Sequence, residues 1–462
     1  MIVVDGGQMH SSGKGLRAGT ISQWEAIGQS LANIAPTAAP AMAIPFILAI
    51  SGNGSWLACL VALLAMACVA HQINLFARRS SSSGSLYQYV DESIGRKFSL
   101  ITAWALLIAY IGTGCAVTGG LIVYTYSLLG GALTTTVLTT IIIAILAVTL
   151  AGYLAYRDVH ISARMMLVIE LISILFILAL FSLPGPRNAL HWDRAQLLLS
   201  GVTLKQVRGG LVLAIFGFVG FESAASLGAE AVNPLKTIPR AITSTALISG
   251  IFFMLAAYAE SIGFAGYDSQ LAASGAPLTL LAGLRHWPSL APLITATTIC
   301  SFFACTLACV TAGSRVLYKL SQDGHFHATC GRAHDRHATP HIAIVIVGAT
   351  VLVTTVSMTL GHIVPFDIYG LAGTFATYGF ITAYLLVSVG AVVLLYRTRT
   401  FTTMSIISLV GSFGILTLTA AGSVSSAEGA YRWLPYLYLA LLVVAAPLLF
   451  PRRVNVFVHS KT

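Results

Sequence analysis

Apolar residues run along this chain in long blocks separated by short polar segments. A helix needs about 20 mostly apolar residues to cross a bilayer, and twelve blocks are long enough. We therefore predict an all-α polytopic membrane protein with twelve transmembrane helices. The blocks lie at 26–50, 55–77, 98–128, 130–153, 161–183, 209–231, 239–264, 289–317, 341–361, 367–395, 402–422 and 433–451.

The first block is interrupted near its middle, within the stretch 30–43, SLANIAPTAAPAMA. Pro36 and Pro40 cannot donate backbone hydrogen bonds, so we predict that the helix opens here and frees the amides of neighbours such as Thr37 and Ala38. Free N–H groups at the positive end of a half-helix suit an anion such as a carboxylate. The alternative is a proline-kinked packing helix, because proline is fairly frequent in membrane helices.

A second interruption lies within the sixth block, in the stretch 214–225, AIFGFVGFESAA. Gly217 and Gly220 permit unusual backbone angles, and carbonyl groups freed by unwinding can accept hydrogen bonds from an ammonium group. Glu222 is an ionisable residue at membrane depth, which is a functional hypothesis by default. Its alternative role is structural, as an acceptor for backbone donors that the unwinding exposes.

The two interruptions are five spans apart, and an odd number of crossings inverts the second set of helices. Unpaired backbone groups are costly in hydrocarbon, so such breaks persist where they line a buried cavity. A matched pair of them indicates the binding site of a transporter built from inverted repeats. An amino acid zwitterion is the simplest ligand that needs both a carboxylate site and an ammonium site.

This pattern predicts a single membrane domain. Its predicted parts are an N-terminal tail (1–20), a first five-helix repeat (21–183), an outer loop (184–208), an inverted five-helix repeat (209–397), two extra helices (398–451) and a C-terminal tail (452–462). The outer loops 184–208 and 265–288 are each amphipathic enough for a short surface helix.

Composition agrees with membrane insertion: 57% of residues are apolar and 9% are charged, against about 25% charged in a typical soluble domain. The net charge of +10 does not indicate nucleic-acid binding, because 19 of the 25 Lys and Arg residues lie in segments on the same side as the N-terminus. Positive charge of this kind marks the cytoplasmic side. We therefore expect a multi-pass protein of the cell membrane with both termini in the cytoplasm.

Four stretches carry a family resemblance. They are ANIAPTAAPA in the first block, 81–104 (SSSGSLYQYVDESIGRKFSLITAW), 216–242 (FGFVGFESAASLGAEAVNPLKTIPRAI) and 314–344 (SRVLYKLSQDGHFHATCGRAHDRHATPHIAI). In this order they resemble the amino acid–polyamine–organocation permease superfamily, of the bacterial amino acid permease type. The resemblance implies the LeuT-like five-plus-five inverted repeat, alternating access and a substrate held between spans 1, 3, 6, 8 and 10.

Site residues follow from the resemblance by position. The first break would hold the substrate carboxylate, carbonyls near Phe216 and Val219 would hold its ammonium group, and Phe216 would gate the site. Tyr110 and Cys309 would face the substrate side chain by position, although the favoured interpretation of each is a packing residue. The full substrate-binding set is Ala35, Pro36, Thr37, Ala38, Tyr110, Phe216, Gly217, Val219, Glu222 and Cys309.

Ion coupling is less directly implied. Some proton-coupled relatives carry a lysine in the fifth span where this chain has Ser173, and Glu170 lies about one turn earlier. A carboxyl group in so apolar a run favours its neutral form, so Glu170 is a candidate proton carrier, as is Glu222. Alternatively, Glu170 is capped by a serine or the backbone and serves packing. Glu260 and Asp367 lie near the outer ends of their spans, where we expect them to be solvated or interfacial.

Other chemistries are less well supported. The loop 325–337 contains four histidines and Cys330, but it lacks the paired CxxC arrangement of a strong zinc site and is interpreted as a solvated basic loop. No phosphate loop or nucleophile elbow is present in the sequence, so we expect neither an enzyme nor a metal or cofactor. The functions to weigh are amino acid transport by proton symport, with sodium coupling or exchange as alternatives, transport of polyamines or other amines, and a non-transporting sensor of the same fold. The particular substrate and the oligomeric state stay open.

Overall fold

The computed structural model describes residues 16–130, 135–157, 159–182, 193–267, 270–271, 274–425 and 429–449. Across these ranges the regular structure is helical apart from an isolated bridge between Ile21 and Ala231. The prediction of an all-α chain is therefore confirmed. The predicted C-terminal tail, most of the N-terminal tail and the first part of the loop 184–208 lie outside the described residues.

Sixteen helices are numbered here in chain order. They are α1 (Gln23–Ile34), α2 (Ile44–Ser51), α3 (Ser55–Ala77), α4 (Leu86–Ile94), α5 (Arg96–Leu129), α6 (Val137–Arg157), α7 (Val159–Ser182), α8 (Arg194–Leu197), α9 (Leu204–Phe218), α10 (Pro234–Gly263), α11 (Pro277–Leu284), α12 (Ala291–Gln322), α13 (His341–Leu360), α14 (Pro365–Thr398), α15 (Thr403–Ser425) and α16 (Leu434–Leu449). A π-turn (Ala39–Ala43) precedes α2, and a 3₁₀ segment (Ser223–Leu227) follows α9.

The helices are long and apolar enough for a multi-pass membrane protein. In the described part of the chain, ten helical stretches meet the length and hydropathy of a membrane span. The first stretch, Gln23–Ala77, is 55 residues long because it contains α1, α2 and α3 in succession. A shorter apolar stretch, Gly429–Val444, includes the start of α16.

Burial separates the central helices from the peripheral ones. In the most apolar window of α5, 83% of residues are buried, against 28% in α6. Large apolar side chains on the outer helices are exposed, such as Leu138 of α6, Leu175 of α7 and Val410 of α15. A surface of this kind is suited to contact with lipid rather than water.

Small residues bring α5 and α14 close together. A Cβ atom at Gly119 of α5 would lie 2.7 Å from the carbonyl oxygen of Pro365, and one at Gly112 would lie 3.0 Å from the Cβ of Ala376. Membrane helices commonly associate through such small residues, because close backbone approach supplies the packing contacts that a hydrophobic effect cannot. α5 and α14 consequently form a tightly packed pair in the middle of the protein.

The segment 265–288 differs from the expected surface loop and changes the environment of Glu260. It contains the predicted short helix, α11, but Leu278 and Leu281 of that helix are fully buried. A Cβ atom at Gly263 would lie 2.6 Å from Leu281, so α11 folds back over the end of α10. Glu260 is therefore fully buried, and neither carboxyl oxygen has a hydrogen-bond partner. The expectation that Glu260 is solvated was wrong, whereas Asp367 is exposed as expected.

Candidate functional site

The first predicted break is present between α1 and the π-turn. α1 ends at Ile34, and Ala35 adopts a left-handed conformation with φ 48°. The chain then turns tightly, since the Ala38 amide donates to the Ala35 carbonyl over 2.8 Å. Thr37, inside this turn, is fully buried and its hydroxyl has no hydrogen-bond partner. Pro36 explains the break locally, because its nitrogen cannot continue the helical hydrogen bonds.

The second predicted break follows α9. The helix ends at Phe218, Val219 has the extended ψ of 142°, and Gly220 has φ +96°. Residues with a side chain rarely adopt the conformation of Gly220, and a Cβ atom there would also overlap the side-chain amide of Asn33. The chain resumes as the 3₁₀ segment Ser223–Leu227 rather than as an α-helix.

Polar side chains bind the backbone of the second break. The Gly220 carbonyl accepts a hydrogen bond from Asn33 Nδ2 at 3.4 Å, and the Gly220 amide donates to the Tyr384 hydroxyl at 3.4 Å. One turn further on, the Ala224 amide donates to Ser30 Oγ at 2.8 Å. Ser30 and Asn33 belong to α1, so the last turns of α1 hold the second break directly.

Glu222 is held by two tyrosines from distant parts of the chain. Its carboxyl group is fully buried and accepts hydrogen bonds from Tyr110 of α5 at 2.9 Å and from Tyr384 of α14 at 2.6 Å. Such bonds to a carboxylate are among the stronger ones in proteins. The structural role that the sequence left open for Glu222 therefore has named partners. They are these two side-chain hydroxyls together with the backbone amides of Gly220 and Glu222, which also act on the carboxyl group.

A small cavity lies between the two breaks. Its volume is about 20 Å³, which is close to the space that one water molecule needs. It is enclosed by residues of both breaks and of three further helices: Asn33, Ile34, Ala38, Ala39, Thr113, Val117, Phe216, Gly217, Val219, Cys305 and Tyr369. An amino acid does not fit in this volume, so the cavity must widen before it can hold one.

The cavity includes some of the sequence-derived site residues and not others. Those that line it are Ala38, Phe216, Gly217 and Val219, while the wall does not include Ala35, Pro36, Thr37, Tyr110, Glu222 and Cys309. Cys309 instead donates its thiol hydrogen to Asn33 Oδ1 at 3.2 Å.

Two lining residues were missed by about one helical turn. Thr113 lines the cavity where the family resemblance gave Tyr110, and Cys305 does so where it gave Cys309. Residues three or four apart share a face of a helix, so Tyr110 and Cys309 lie on the same helix faces as these two lining residues, about one turn away. The Thr113 hydroxyl is buried without a hydrogen-bond partner, which makes it a polar group available to a ligand.

Aromatic rings close one side of the cavity. The ring of Phe216 meets that of Tyr369 edge to face with centroids 5.7 Å apart. The Phe216 ring also packs against Gly373, where a Cβ atom would overlap it. Tyr369 also contacts Phe302 of α12, with centroids 6.2 Å apart. A movement of the Phe216 ring would therefore enlarge the cavity.

The face of the bundle on which α1 begins, here called the N-face, is closed by an ion pair and by backbone hydrogen bonds. Arg315 of α12 contacts both carboxyl oxygens of Glu230, at 2.6 and 3.1 Å, and both side chains are fully buried. The Glu230 carbonyl also accepts hydrogen bonds from the amides of Thr20 and Ile21, at 2.8 and 2.9 Å. The segment before α1 is thereby joined to the segment after the second break.

Glu170 lies at the interface between α7 and α12. Its carboxyl group is fully buried, and the hydroxyl of Ser301 lies 2.8 and 2.9 Å from its two oxygens. Ser173, at the position where some relatives have lysine, donates to the Thr297 carbonyl at 3.1 Å. The serine cap that the sequence left as an alternative is thus present beside Glu170.

The histidine-rich loop 325–337 shows no arrangement suited to a metal ion. Among the residues that the structure describes, no three His, Cys, Asp or Glu side chains are grouped as ligands would be. His325 contacts the guanidinium group of Arg96, and burial together with that positive charge lowers the pKa of His325.

These features define a class of protein: a multi-pass membrane protein in which two interrupted helices enclose a small buried cavity. The family is shown by sequence. The amino acid permease family model matches residues 25–462, so the chain belongs to that family. The resemblance inferred from four stretches of sequence is thereby confirmed.

Individual relatives are moderately similar. The chain is 25% identical over 383 residues to the branched-chain amino acid permease BcaP of Bacillus subtilis (strain 168), a match that covers 78% of this chain and 75% of that protein. It is 23% identical over 297 residues to the low-affinity putrescine importer PlaP of Escherichia coli (strain K12), covering 63% of this chain and 64% of PlaP.

A solved structure has a related fold. The match is to a Na⁺-coupled sialic acid symporter in a substrate-bound outward-open state, with a TM-score of 0.56 and 14% sequence identity. It covers 88% of this chain and 90% of that one. At this identity the similarity concerns the fold alone.

Proposed function

We propose that this protein is a secondary active transporter that moves an amino acid across the cell membrane by alternating access. The observation that carries the proposal is the small cavity enclosed by both helix breaks, with Ala38 and Ala39 on one side and Gly217 and Val219 on the other. At the first break the Ala38 amide, which we expected to be free, already donates to the Ala35 carbonyl. The other N–H groups there and the Thr37 hydroxyl are therefore the groups that would hold a carboxylate, and carbonyls at the second break suit an ammonium group. A zwitterion satisfies both.

The architecture that goes with this proposal has twelve spans. Five form a first repeat (21–183), five form an inverted repeat (209–397), and two follow. Both termini are proposed to be cytoplasmic, which would place the N-face on the cytoplasmic side. The buried Arg315–Glu230 pair would then close the inner end of the route, and the Phe216–Tyr369 pair would have to move to admit substrate.

The cavity lining favours a neutral, aliphatic amino acid. Ile34, Val117 and Val219 contribute branched apolar side chains, and no charged side chain is among the residues that form the wall. A cationic substrate would meet no carboxylate there. The similarity to a branched-chain amino acid permease supports the same choice.

Proton symport is the proposed form of coupling, with Glu170 as the proton carrier. The buried carboxyl group of Glu170 has the neutral Ser301 as its hydrogen-bond partner. A neutral partner stabilises the ionised form of a carboxyl group far less than a cation does. If the conformational change of transport exposes Glu170 to one side of the membrane, Glu170 can bind or release a proton at that stage of the transport cycle. Glu222 is the second candidate, although two tyrosine hydroxyls already donate to its buried carboxyl group and explain it as a structural residue.

Sodium coupling is the alternative, and the environment of Thr311 bears on it. The Thr311 hydroxyl is buried and without a hydrogen-bond partner, which is a feature that a cation site could use. Its carbonyl, however, already accepts a hydrogen bond from Arg315 Nη1 at 3.1 Å. A sodium ion bound there would compete with a guanidinium group, so we favour the proton.

The test is uptake into proteoliposomes under an imposed pH gradient, an imposed sodium gradient or neither. Radiolabelled leucine, lysine and putrescine serve as substrates. We expect leucine uptake that depends on the pH gradient. Putrescine uptake without leucine uptake would favour the amine alternative, which the similarity to PlaP supports. Absence of flux for all three, together with leucine binding in a thermal-shift assay, would favour a sensor.

The role of Glu170 is tested separately with Glu170→Gln. We expect this variant to lose gradient-driven uptake and to retain exchange of internal for external leucine, because exchange needs no net proton movement. Asp367→Asn is the matched control, because Asp367 is an exposed carboxyl group. Gradient-driven uptake that survives Glu170→Gln would remove the proton role from this residue.

A further inference from the structure

A second, larger space lies on the other side of α5 from the cavity. This lateral groove has a volume of about 620 Å³ and is bounded by α5, α13, α14 and α16. Its wall is almost wholly apolar and includes Trp104 and Cys115 of α5, Ile346 and Thr354 of α13, Phe375 of α14 and Leu437 of α16. The proposed transport function does not use it.

The lateral groove runs along the helices rather than across them. Its α13 residues extend from Ile346 to Met358 at helical spacing, which corresponds to a length of about 18 Å at 1.5 Å per residue. One leaflet of the hydrocarbon core is about 15 Å deep, half of about 30 Å. The groove is therefore at least as long as one acyl chain in a bilayer, because Phe326 and Ile363 extend its wall beyond these α13 residues.

In a bilayer, the mouth of the groove would face hydrocarbon. Leu437 in its wall is 53% exposed, and Val353, next to the wall residue Thr354 on α13, is 63% exposed. Both belong to helices that face outwards from the bundle, so water would not fill the space and an empty groove would leave its walls without packing partners.

We propose that the lateral groove binds one acyl chain of a membrane phospholipid as a structural part of the protein. The acyl chain fills the space between α16 and the α5–α13 pair. It adds to the contacts that α16 already makes with α14 through Tyr438. At the end of the groove nearer the N-face, the indole N–H of Trp104 is buried and has no hydrogen-bond partner. An ester carbonyl of the same lipid can accept from it, as indole groups near membrane interfaces commonly donate.

This site adjoins the transport cavity. Gly112 and Cys115 of α5 line the groove, whereas Thr113 and Val117 of the same helix line the cavity. On α14, Ala372 faces the groove and Tyr369 faces the cavity. The proposed lipid therefore supports the wall of the cavity from outside.

Fluorescence quenching by brominated phospholipid tests the proposal without any transport measurement. The protein is reconstituted in dioleoyl phosphatidylcholine or in the same lipid with dibrominated chains. The difference between wild type and Trp104→Phe isolates the signal of Trp104. We expect Trp104 to be quenched by the brominated chains. A Trp104 signal that is equal in the two lipids would overturn the proposal.

Variants that fill the groove distinguish an acyl chain bound in it from ordinary surrounding lipid. Thr354→Phe places a ring in the groove, and Val353→Phe, its neighbour, places the same ring on the lipid-exposed surface outside it. We expect Thr354→Phe to lose most of the Trp104 quenching and Val353→Phe to keep it. Equal quenching in the two variants would show contact with surrounding lipid alone and would contradict a bound chain. Ala430→Leu, at an exposed groove position on the α16 side, replaces Thr354→Phe if that variant does not fold.

Discussion

The two helix breaks are alike in position and differ in what holds them. At the second break, side chains from α1 and α14 bind the backbone of Gly220 and Ala224. At the first break, the turn itself is closed by its own backbone, side chains of Cys305 and Tyr124 bind the flanking carbonyls of Asn33 and Ala41, and the Thr37 hydroxyl inside the turn has no partner. The second break is fixed by the protein, whereas the first keeps polar groups available to a ligand. Changes at the second should mainly reduce stability, and changes at the first should mainly reduce affinity.

The largest effect is expected from Gly220→Ala. The backbone of Gly220 has φ +96° and its missing Cβ leaves space for Asn33. Backbone strain alone costs about 1–3 kcal/mol, and overlap with Asn33 adds to it. We expect a strong fall in the thermal unfolding temperature in detergent, or loss of folded protein. Gly152→Ala in α6, where a Cβ meets open space, is the control. Equal stability of the two variants would show that the second break is not fixed as described.

Glu222→Leu should have the next largest effect, because it removes the acceptor of two buried tyrosine hydroxyls. Each hydroxyl left unsatisfied costs about 1–3 kcal/mol. Glu222→Gln keeps one acceptor and should cost less. Combining Glu222→Leu with Tyr110→Phe and Tyr384→Phe should restore part of the thermal stability. If Glu222→Gln unfolds like wild type yet loses gradient-driven uptake, Glu222 carries the proton instead of serving the structure.

Ser30→Ala tests a single link between α1 and the second break. It leaves the buried Ala224 amide without its acceptor, which should cost about 1–3 kcal/mol. Thermal unfolding is the measurement. The control is Thr149→Ala at an exposed position on α6, where substitutions usually change stability by less than about 0.5 kcal/mol. A Ser30→Ala variant as stable as the control would indicate that water replaces the serine.

The smallest effect on stability is expected from Thr37→Val at the first break, because the lost hydroxyl has no partner in the protein. If the substrate binds there, losing one hydrogen bond of about 0.5–1.5 kcal/mol should weaken affinity roughly 2- to 12-fold. Thr245→Val, at another buried and unpartnered hydroxyl away from the cavity, is the control. Thermal shift with leucine measures both. Unchanged affinity in Thr37→Val would place the carboxylate elsewhere.

Much of the fold could be predicted from local chemistry. The position of the first break follows from Pro36, which lacks a donor, and that of the second from Gly220, which alone tolerates its backbone angle. Both effects act within a few residues, so they can be read from the sequence. The depth of the cavity could not, because it depends on how α5 and α12 are seated against the breaks. The family resemblance therefore gave Tyr110 and Cys309 rather than Thr113 and Cys305.

By itself, the sequence determined the apolar spans, the two breaks and the family, because each depends on composition or on neighbouring residues. The tertiary structure alone decided which carboxyl groups are satisfied. Glu222 meets hydroxyls 112 and 162 positions away, Glu230 meets a guanidinium 85 positions away, and Glu260 is covered by α11 without a hydrogen-bond partner. Side chains brought together by packing of distant helices leave no periodic signal along the chain, so their partners become visible only in the folded protein.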